Sequence, residues 1–248
     1  MIIIKSSQEV EIMRQAGRVV AAVLERLKEE IKPGVMTRHL DMIAQREVKK
    51  YGARASFKGY RGFPAHLCVS VNDEIVHGIP GARELKEGDI VSLDFGAIVK
   101  GFHGDAAITV GVGKISSQAE ELIAVTQTAL MVGIKAARCG GHVGDISAAI
   151  QSYVEGKGFS VVREYSGHGI GRDLHEDPLV PNFGSPGEGP LLQKGMTMAV
   201  EPMVTAGSWR TRLAPNRWTV LTADGSLAAH FEHTIVITDD EAEILTLV

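Results

Sequence analysis

Two aspartates, Asp94 and Asp105, carry the sharpest chemical signal in the chain. Asp94 interrupts an apolar strand pattern, Ile90-Val91-Ser92-Leu93, and Gly101 marks a hairpin turn close by. Side-chain direction in a strand alternates with period two. A turn centred near Val99/Lys100 pairs Asp94 directly with Asp105. A turn centred near Lys100/Gly101 pairs Asp94 with Ala107 and leaves Asp105 as a diagonal neighbour. Either register puts both carboxylates on one face. Two carboxylates so close repel, and a divalent cation removes the conflict. Oxygen ligands with imidazole suit Mn, Fe, Co or Zn, and softness alone does not choose among them. The plain alternative is a strand-end aspartate beside a turn aspartate, and the pair by itself does not decide between the two.

The second half of the chain offers partners. Gly167-His168-Gly169-Ile170-Gly171 brackets a histidine with glycines, which let backbone approach a ligand closely. Met196–Val200 reads as a buried strand ending in Glu201-Pro202, where a buried unpaired glutamate would be costly. Glu232 sits in another strand pattern, His230 to Ile237. Each taken alone is better read as a hydrogen-bonded histidine or a solvated edge. Taken together, Asp94, Asp105, His168, Glu201 and Glu232 supply four negative charges and one imidazole. That set is too acidic for a structural zinc site, which is Cys/His-rich. It fits two divalent ions about 3.5–4 Å apart sharing a water nucleophile.

The elements that must position these residues fall into two similar runs. Ser6 and Glu9 have capping-box spacing, and Met13, Ala16, Val20, Val23, Leu24 and Leu27 mark one apolar helix face that ends at Pro33-Gly34. A second helix is predicted from about Thr37 to Lys50, and strands at His66–Val71, Asp89–Val99 and Phe102–Val110. Ser117 and Glu120 open a third helix, which runs to about Arg138. A fourth follows from about Gly144 to Lys157, then strands near Phe159–Glu164, Met196–Glu201, Trp218–Thr222 and Ala229–Thr238. At an offset of 106 residues Gly34 matches Gly140, Leu40 matches Ile146, Val48 matches Val154 and Gly52 matches Gly158. This suggests an internal duplication, with one catalytic domain over 1–248 made of related halves at about 7–115 and 116–248.

Composition narrows the function. The 248 residues carry 30 acidic and 26 basic side chains, net −4, so no basic excess argues for stable nucleic-acid binding. The two cysteines, Cys68 and Cys139, form no disulfide framework and suit a reducing compartment. The start has three isoleucines before Lys5, short of the roughly 7–15 apolar residues of a secretory signal. No apolar run reaches the roughly 20 residues of a membrane span. The expectation is a cytoplasmic protein.

The order Asp94, Asp105, His168 in GHGIG, Glu201-Pro202 and Glu232 in FEHT resembles the pita-bread metallopeptidases. Within them, Val71-Asn72-Asp73-Glu74-Ile75-Val76-His77-Gly78-Ile79-Pro80 and Gly88-Asp89-Ile90-Val91 resemble type I methionine aminopeptidases, and the likeness runs from about Ser7 to the C-terminus. It implies a pseudo-two-fold α/β (α+β) fold with a central antiparallel sheet and helices outside. It implies that Asp105 and Glu232 bridge two divalent ions, that Asp94 chelates one, and that His168 and Glu201 bind the other. His77 and His175 match the family's two non-ligand active-site histidines. Phe57, Tyr60, Phe63, Cys68, Leu174 and Trp218 would form the pocket for a methionine side chain, whose polarizable thioether packs well against aromatic edges and sulfur.

The implied activity is hydrolytic removal of the initiator methionine from nascent proteins and from peptides with a small second residue. Glu201 would carry the proton, His175 would support the oxyanion and His77 would position the scissile nitrogen. Implied partners are nascent N-termini and, transiently, the ribosome, for an enzyme acting as a monomer. Departures from the family pattern occur at Phe57, Leu174, Ser166, His230 and Gly140-Gly141. None removes a ligand. Phe57 and Leu174 alter the pocket, and His230, two residues from a bridging glutamate, could tune the metal's surroundings.

Two other readings compete. Xaa-Pro aminopeptidases and prolidases use similar ligands but usually carry an extra N-terminal domain, for which the early first helix leaves no room. A non-catalytic binding module on the same fold would tend to lose ligands, and all five are present.

Overall fold

The computed structural model describes residues 1–247. Helix α1 (Ser7–Lys28) opens with the expected reciprocal cap: the Glu9 N–H donates to the Ser6 hydroxyl at 3.3 Å, and the Ser6 N–H donates to the Glu9 carboxylate at 3.0 Å. Its six face residues, from Met13 to Leu27, are all buried. The helix stops at Lys28, before Pro33; a residue preceding proline is pushed out of the helical region, so the chain unwinds ahead of it. Helix α2 (Thr37–Lys50) has the bounds its pattern predicts.

The first run continues with β1 (Arg54–Ala55), a short 3-10 turn (Tyr60–Gly62), β2 (Cys68–Val71), β3 (Glu74–Val76), β4 (Ile90–Val99) and β5 (Phe102–Gly111). The second run comprises α3 (Ser117–Ala136), α4 (Val143–Gly156), β6 (Ser160–Val161), β7 (Ser166–Gly169), β8 (Glu176–Pro181), β9 (Thr197–Val200), β10 (Met203–Thr205), β11 (Thr211–Leu213), β12 (Val220–Thr222), β13 (Ala228–His230), β14 (Glu232–Val236) and β15 (Glu243–Ile244). Adding 106 to the bounds of α2 gives those of α4, and adding it to β1 gives β6. Gly34 and Gly140 share a left-handed backbone, with φ of +90° and +84°. Helix α3 is capped by Ser116 rather than Ser117, its hydroxyl accepting from the Ala119 N–H at 3.2 Å. The strand expected over Ala229–Thr238 is two strands, β13 and β14, broken at Phe231.

The central antiparallel sheet runs β1-β4-β5-β14-β9-β7-β8, with β2 beside β4 and β15 beside β14. Alternation divides its two faces between stability and chemistry. Val91, Leu93, Phe95 and Ala97 of β4 pack with Val20, Leu24, Leu27, Leu40 and Ile43 of α1 and α2. Met198, Val200 and Ile235 of β9 and β14 pack with Leu122, Ala129, Ile146 and Ile150 of α3 and α4. The intervening residues of the same strands face the other way. That second face holds the functional groups.

Candidate metal centre and active site

Across β4, β5 and β14 one row of paired residues reads Asp94, Ala107, Glu232. Directly opposed residues point to the same side, so two carboxylates flank a single methyl group. Asp105 pairs with Gly96, two residues along β5 from Ala107, and shares that side. Of the two hairpin registers open to the sequence, the chain adopts the one that leaves Asp105 diagonal to Asp94. The neighbouring row across β14, β9 and β7 reads Thr234, Ala199, His168. Glu201 follows two residues after Ala199, just past the end of β9. Ala107 and Ala199 leave the space into which the acids and the imidazole lean.

His168 is oriented by its own neighbour: Nδ1–H donates to the Gly169 carbonyl at 2.8 Å. That fixes the tautomer and frees Nε2, which lies 3.6 Å from Glu201 Oε1. The approach depends on glycine. A Cβ on Gly167 would lie 2.4 Å from the Ala199 carbonyl oxygen, and one on Gly169 only 2.1 Å from that of Asp177.

The carboxylates are buried with too few partners. Asp94 Oδ1, Asp105 Oδ1 and Glu232 Oε1 have no hydrogen-bond partner among the described residues. Burial pushes Asp94 up to about 7, with the Glu201 charge adding to the shift and His230 opposing it. Burial also pushes Glu201 up to about 7. Asp105 and Glu232 stand well above the usual carboxylate range, through burial first and then through the neighbouring acids. Such a cluster must hold either protons or cations.

Donor atoms of Asp105, His168 and Glu232 lie within 4.8 Å of one another, as do donor atoms of Glu201, His230 and Glu232. Both sets include Glu232. Oxygen-rich donors with imidazole, bare oxygens aimed at one another and a shared carboxylate all fit divalent ions.

The remaining residues put forward from the sequence surround this centre. His77, His175, Phe57, Tyr60, Phe63, Cys68, Leu174 and Trp218 line the same cavity of about 800 Å³ as Asp94, Asp105, His168, Glu201 and Glu232. His175 Nδ1 lies 2.8 Å from the Tyr60 hydroxyl, and its ring centre is 4.1 Å from that of His168. Burial lowers the pKa of His175 to about 3 and of His77 to about 4, with neighbouring histidines adding to each shift. Both rings are neutral near pH 7. Phe63 and Trp218 meet edge to face at 5.2 Å, and Phe57, Cys68 and Leu174 are buried beside them.

Tyr165 and Met203 also reach the cavity, and no residue pattern pointed to them. They follow from adjacency alone, Tyr165 preceding β7 and Met203 following Glu201-Pro202. His230 is not on the cavity wall but behind it: Nε2 lies 3.4 Å from Glu201 Oε2.

Comparison with known proteins agrees with this arrangement. The model of metallopeptidase family M24 matches residues 11–239. The chain is 55% identical to methionine aminopeptidase 1 of Bacillus subtilis and 53% identical to the methionine aminopeptidase of Clostridium perfringens, in each case over the whole of both chains. The crystal structure of methionine aminopeptidase from Thermotoga maritima superposes with a TM-score of 0.99 at 48% identity, covering all of both chains.

Proposed function

The chain belongs to metallopeptidase family M24 and is a metal-dependent aminopeptidase acting on N-terminal methionine; we propose that it excises the initiator methionine from nascent proteins and from peptides with a small second residue, using two divalent ions. The observation that carries this reading is the set of buried carboxylate oxygens left bare beside His168 on one face of the sheet. Asp94, Asp105, His168, Glu201 and Glu232 would hold the ions. When bound, such ions lower the pKa of a water and polarise the scissile carbonyl. The metal is one of Co, Mn, Fe or Zn.

The chain's own groups supply the rest. Glu201 accepts the proton of the attacking water at its carboxylate and passes it to the leaving amide nitrogen. With the Tyr60 hydroxyl donating to Nδ1, His175 keeps its proton on Nε2 and donates a hydrogen bond through it to the carbonyl oxygen, holding the developing oxyanion. His77 positions the scissile nitrogen. The aromatic wall with Cys68 and Leu174 takes the methionine side chain, and the free α-amine lies on the Asp94 side. Among the described residues no helix is long and apolar enough to cross a membrane. We place the enzyme in the cytoplasm, as a monomer meeting nascent chains in transient contact with the ribosome.

The test is metal analysis of protein purified without added metal, paired with hydrolysis of Met-Ala-Ser after loading with Co or Mn. Metal bound near two per chain and release of methionine are expected. Failure to cleave, or a preference for an Ala-Pro peptide, overturns the reading.

A further inference from the structure

We propose that Lys5 and Glu176 are positioning residues for His175: their buried ion pair ties the loop between β7 and β8 to the central sheet and so holds the His175 ring over the cavity. The inference rests on the reading of His175 as the donor to the scissile carbonyl oxygen.

Glu176 directly follows His175 and opens β8. Both of its carboxylate oxygens are used. Oε1 accepts from the backbone N–H of Arg172 at 2.8 Å and of Asp173 at 3.3 Å, which folds the loop back on itself. Oε2 accepts from the Lys5 ammonium. The Lys5 and Glu176 side chains are only 3% and 4% exposed. This is therefore not a solvated surface pair of small worth. Each charge is tolerated where it lies only with its partner in place.

Lys5 is itself fixed. Nζ also donates to the Ile3 carbonyl at 3.1 Å. The Lys5 backbone N–H donates to the Gly195 carbonyl at 2.8 Å, and the Gly195 N–H donates to the Ile237 carbonyl at 2.9 Å. The anchor is thus the point where the chain enters β9, the strand that leads to Glu201. The room for the pair comes from a glycine. A Cβ on Gly171 would lie 2.5 Å from Glu176 Oε1 and 2.5 Å from Lys5 Cε.

Leu174 and His175, neighbours in this loop, are held differently. Leu174 is buried in the apolar cluster of Met13, Phe57 and Ile170, so packing keeps it in place. His175 lines the open cavity, where its side chain meets the hydroxyl and ring of Tyr60 and the ring of His168. The aim of its ring therefore depends on its backbone, which Glu176 fixes from one residue away. A misplacement of about 1 Å at a reacting centre costs on the order of 100-fold in rate.

Steady-state kinetics of the cobalt-loaded enzyme on Met-Ala-Ser test the proposal. Lys5→Met keeps the length of the side chain and removes the ammonium. Its kcat should fall about 10–100-fold, with KM within about threefold and cobalt content unchanged. A double variant, Lys5→Met with Glu176→Gln, leaves no buried charge unpaired to prevent folding, and should still lose at least about tenfold in kcat. A pair serving stability alone would lower Tm in Lys5→Met and leave the kcat of the folded enzyme at wild type in both variants, which overturns the proposal. A double-mutant cycle reads the route through His175. In a His175→Ala background Lys5→Met should cost less than about a further twofold, because the ring it positions is gone. Reappearance of the full loss in that background, or loss of cobalt from Lys5→Met, also overturns the proposal. In each of these failures His175→Ala alone stays slow. Wild-type turnover in His175→Ala sinks the reading of His175 instead, and this inference with it.

Discussion

The Thr234 hydroxyl closes on both backbone groups of Asp105, accepting from its N–H at 2.9 Å and donating to its carbonyl at 2.8 Å. This contact fixes the strand position from which the Asp105 carboxylate reaches the candidate metal centre, and it lies at the join of β5 and β14. Thr234→Val keeps the shape and removes the hydroxyl, leaving a buried N–H and a buried carbonyl unpaired. Each unmet group costs about 1–3 kcal/mol, so the variant should lose about 2–6 kcal/mol of stability and bind added metal more weakly. Urea unfolding and metal titration measure both effects, with Thr234→Ser, which keeps the hydroxyl, expected near wild type. A valine variant with unchanged midpoint and affinity would show that the bracket is incidental.

A pH-dependent contribution to stability lies away from the centre, in the turn closed by Asp224. Its carboxylate accepts from the Ser208 N–H at 2.7 Å and from the Ser226 hydroxyl and N–H at 2.7 and 3.1 Å, which hold its pKa down to about 2. A folded pKa below the unfolded value of about 3.9 stabilises above that value and loses the gain as pH falls toward 2. Solvent screening at this exposed site limits the worth to about 1 kcal/mol. Asp224→Ala should lower Tm by about 2–4 °C at pH 7. Thermal melts should show the gap narrowing by pH 3, and a gap of constant size would contradict the assignment.

Much of the site was legible because strands advertise their two faces. Asp94 stood out as a charge in an apolar run, and alternation put Asp105 beside it in either register; only the pairing of Asp94 with Ala107 had to come from the structure. The α1 pattern was strong enough to give its buried face, and α2 was legible in its bounds. Strands β7 and β8 were not legible, because Gly167 and Gly169 carry no side chains to alternate and Glu176–Pro181 mixes acids with prolines. The break at Phe231 was hidden too, since β13 and β14 read as one continuous strand in the sequence while pairing in different sheets. The second imidazole beside Glu201 depends on that break.

The glycine after His168 gives a test of close approach. A Cβ at Gly169 would sit 2.1 Å from the Asp177 carbonyl oxygen and 2.5 Å from its carbon, backbone atoms that cannot turn aside. Gly169→Ala must force β7 from β8 and carry with it the carbonyl that orients His168. Disturbing such an orienting partner typically costs 10–100-fold in metal affinity, and at least that loss is expected here. Calorimetric titration with cobalt measures it. Wild-type affinity in a folded variant would mean that His168 is not oriented through this contact.

His175 separates metal binding from turnover. Its Nδ1 contact with Tyr60 and its low pKa keep a neutral ring against the cavity wall without using it as a ligand. His175→Ala should therefore retain its metal content, and its kcat on Met-Ala-Ser should fall about 10²–10³-fold, the usual loss for one oxyanion donor. Tyr60→Phe removes the hydroxyl partner of Nδ1 and leaves the ring in place, so it should cost less than the alanine variant. Elemental analysis beside steady-state kinetics checks both parts. Near-normal turnover would remove His175 from the reaction, whereas loss of metal would make it part of the centre itself.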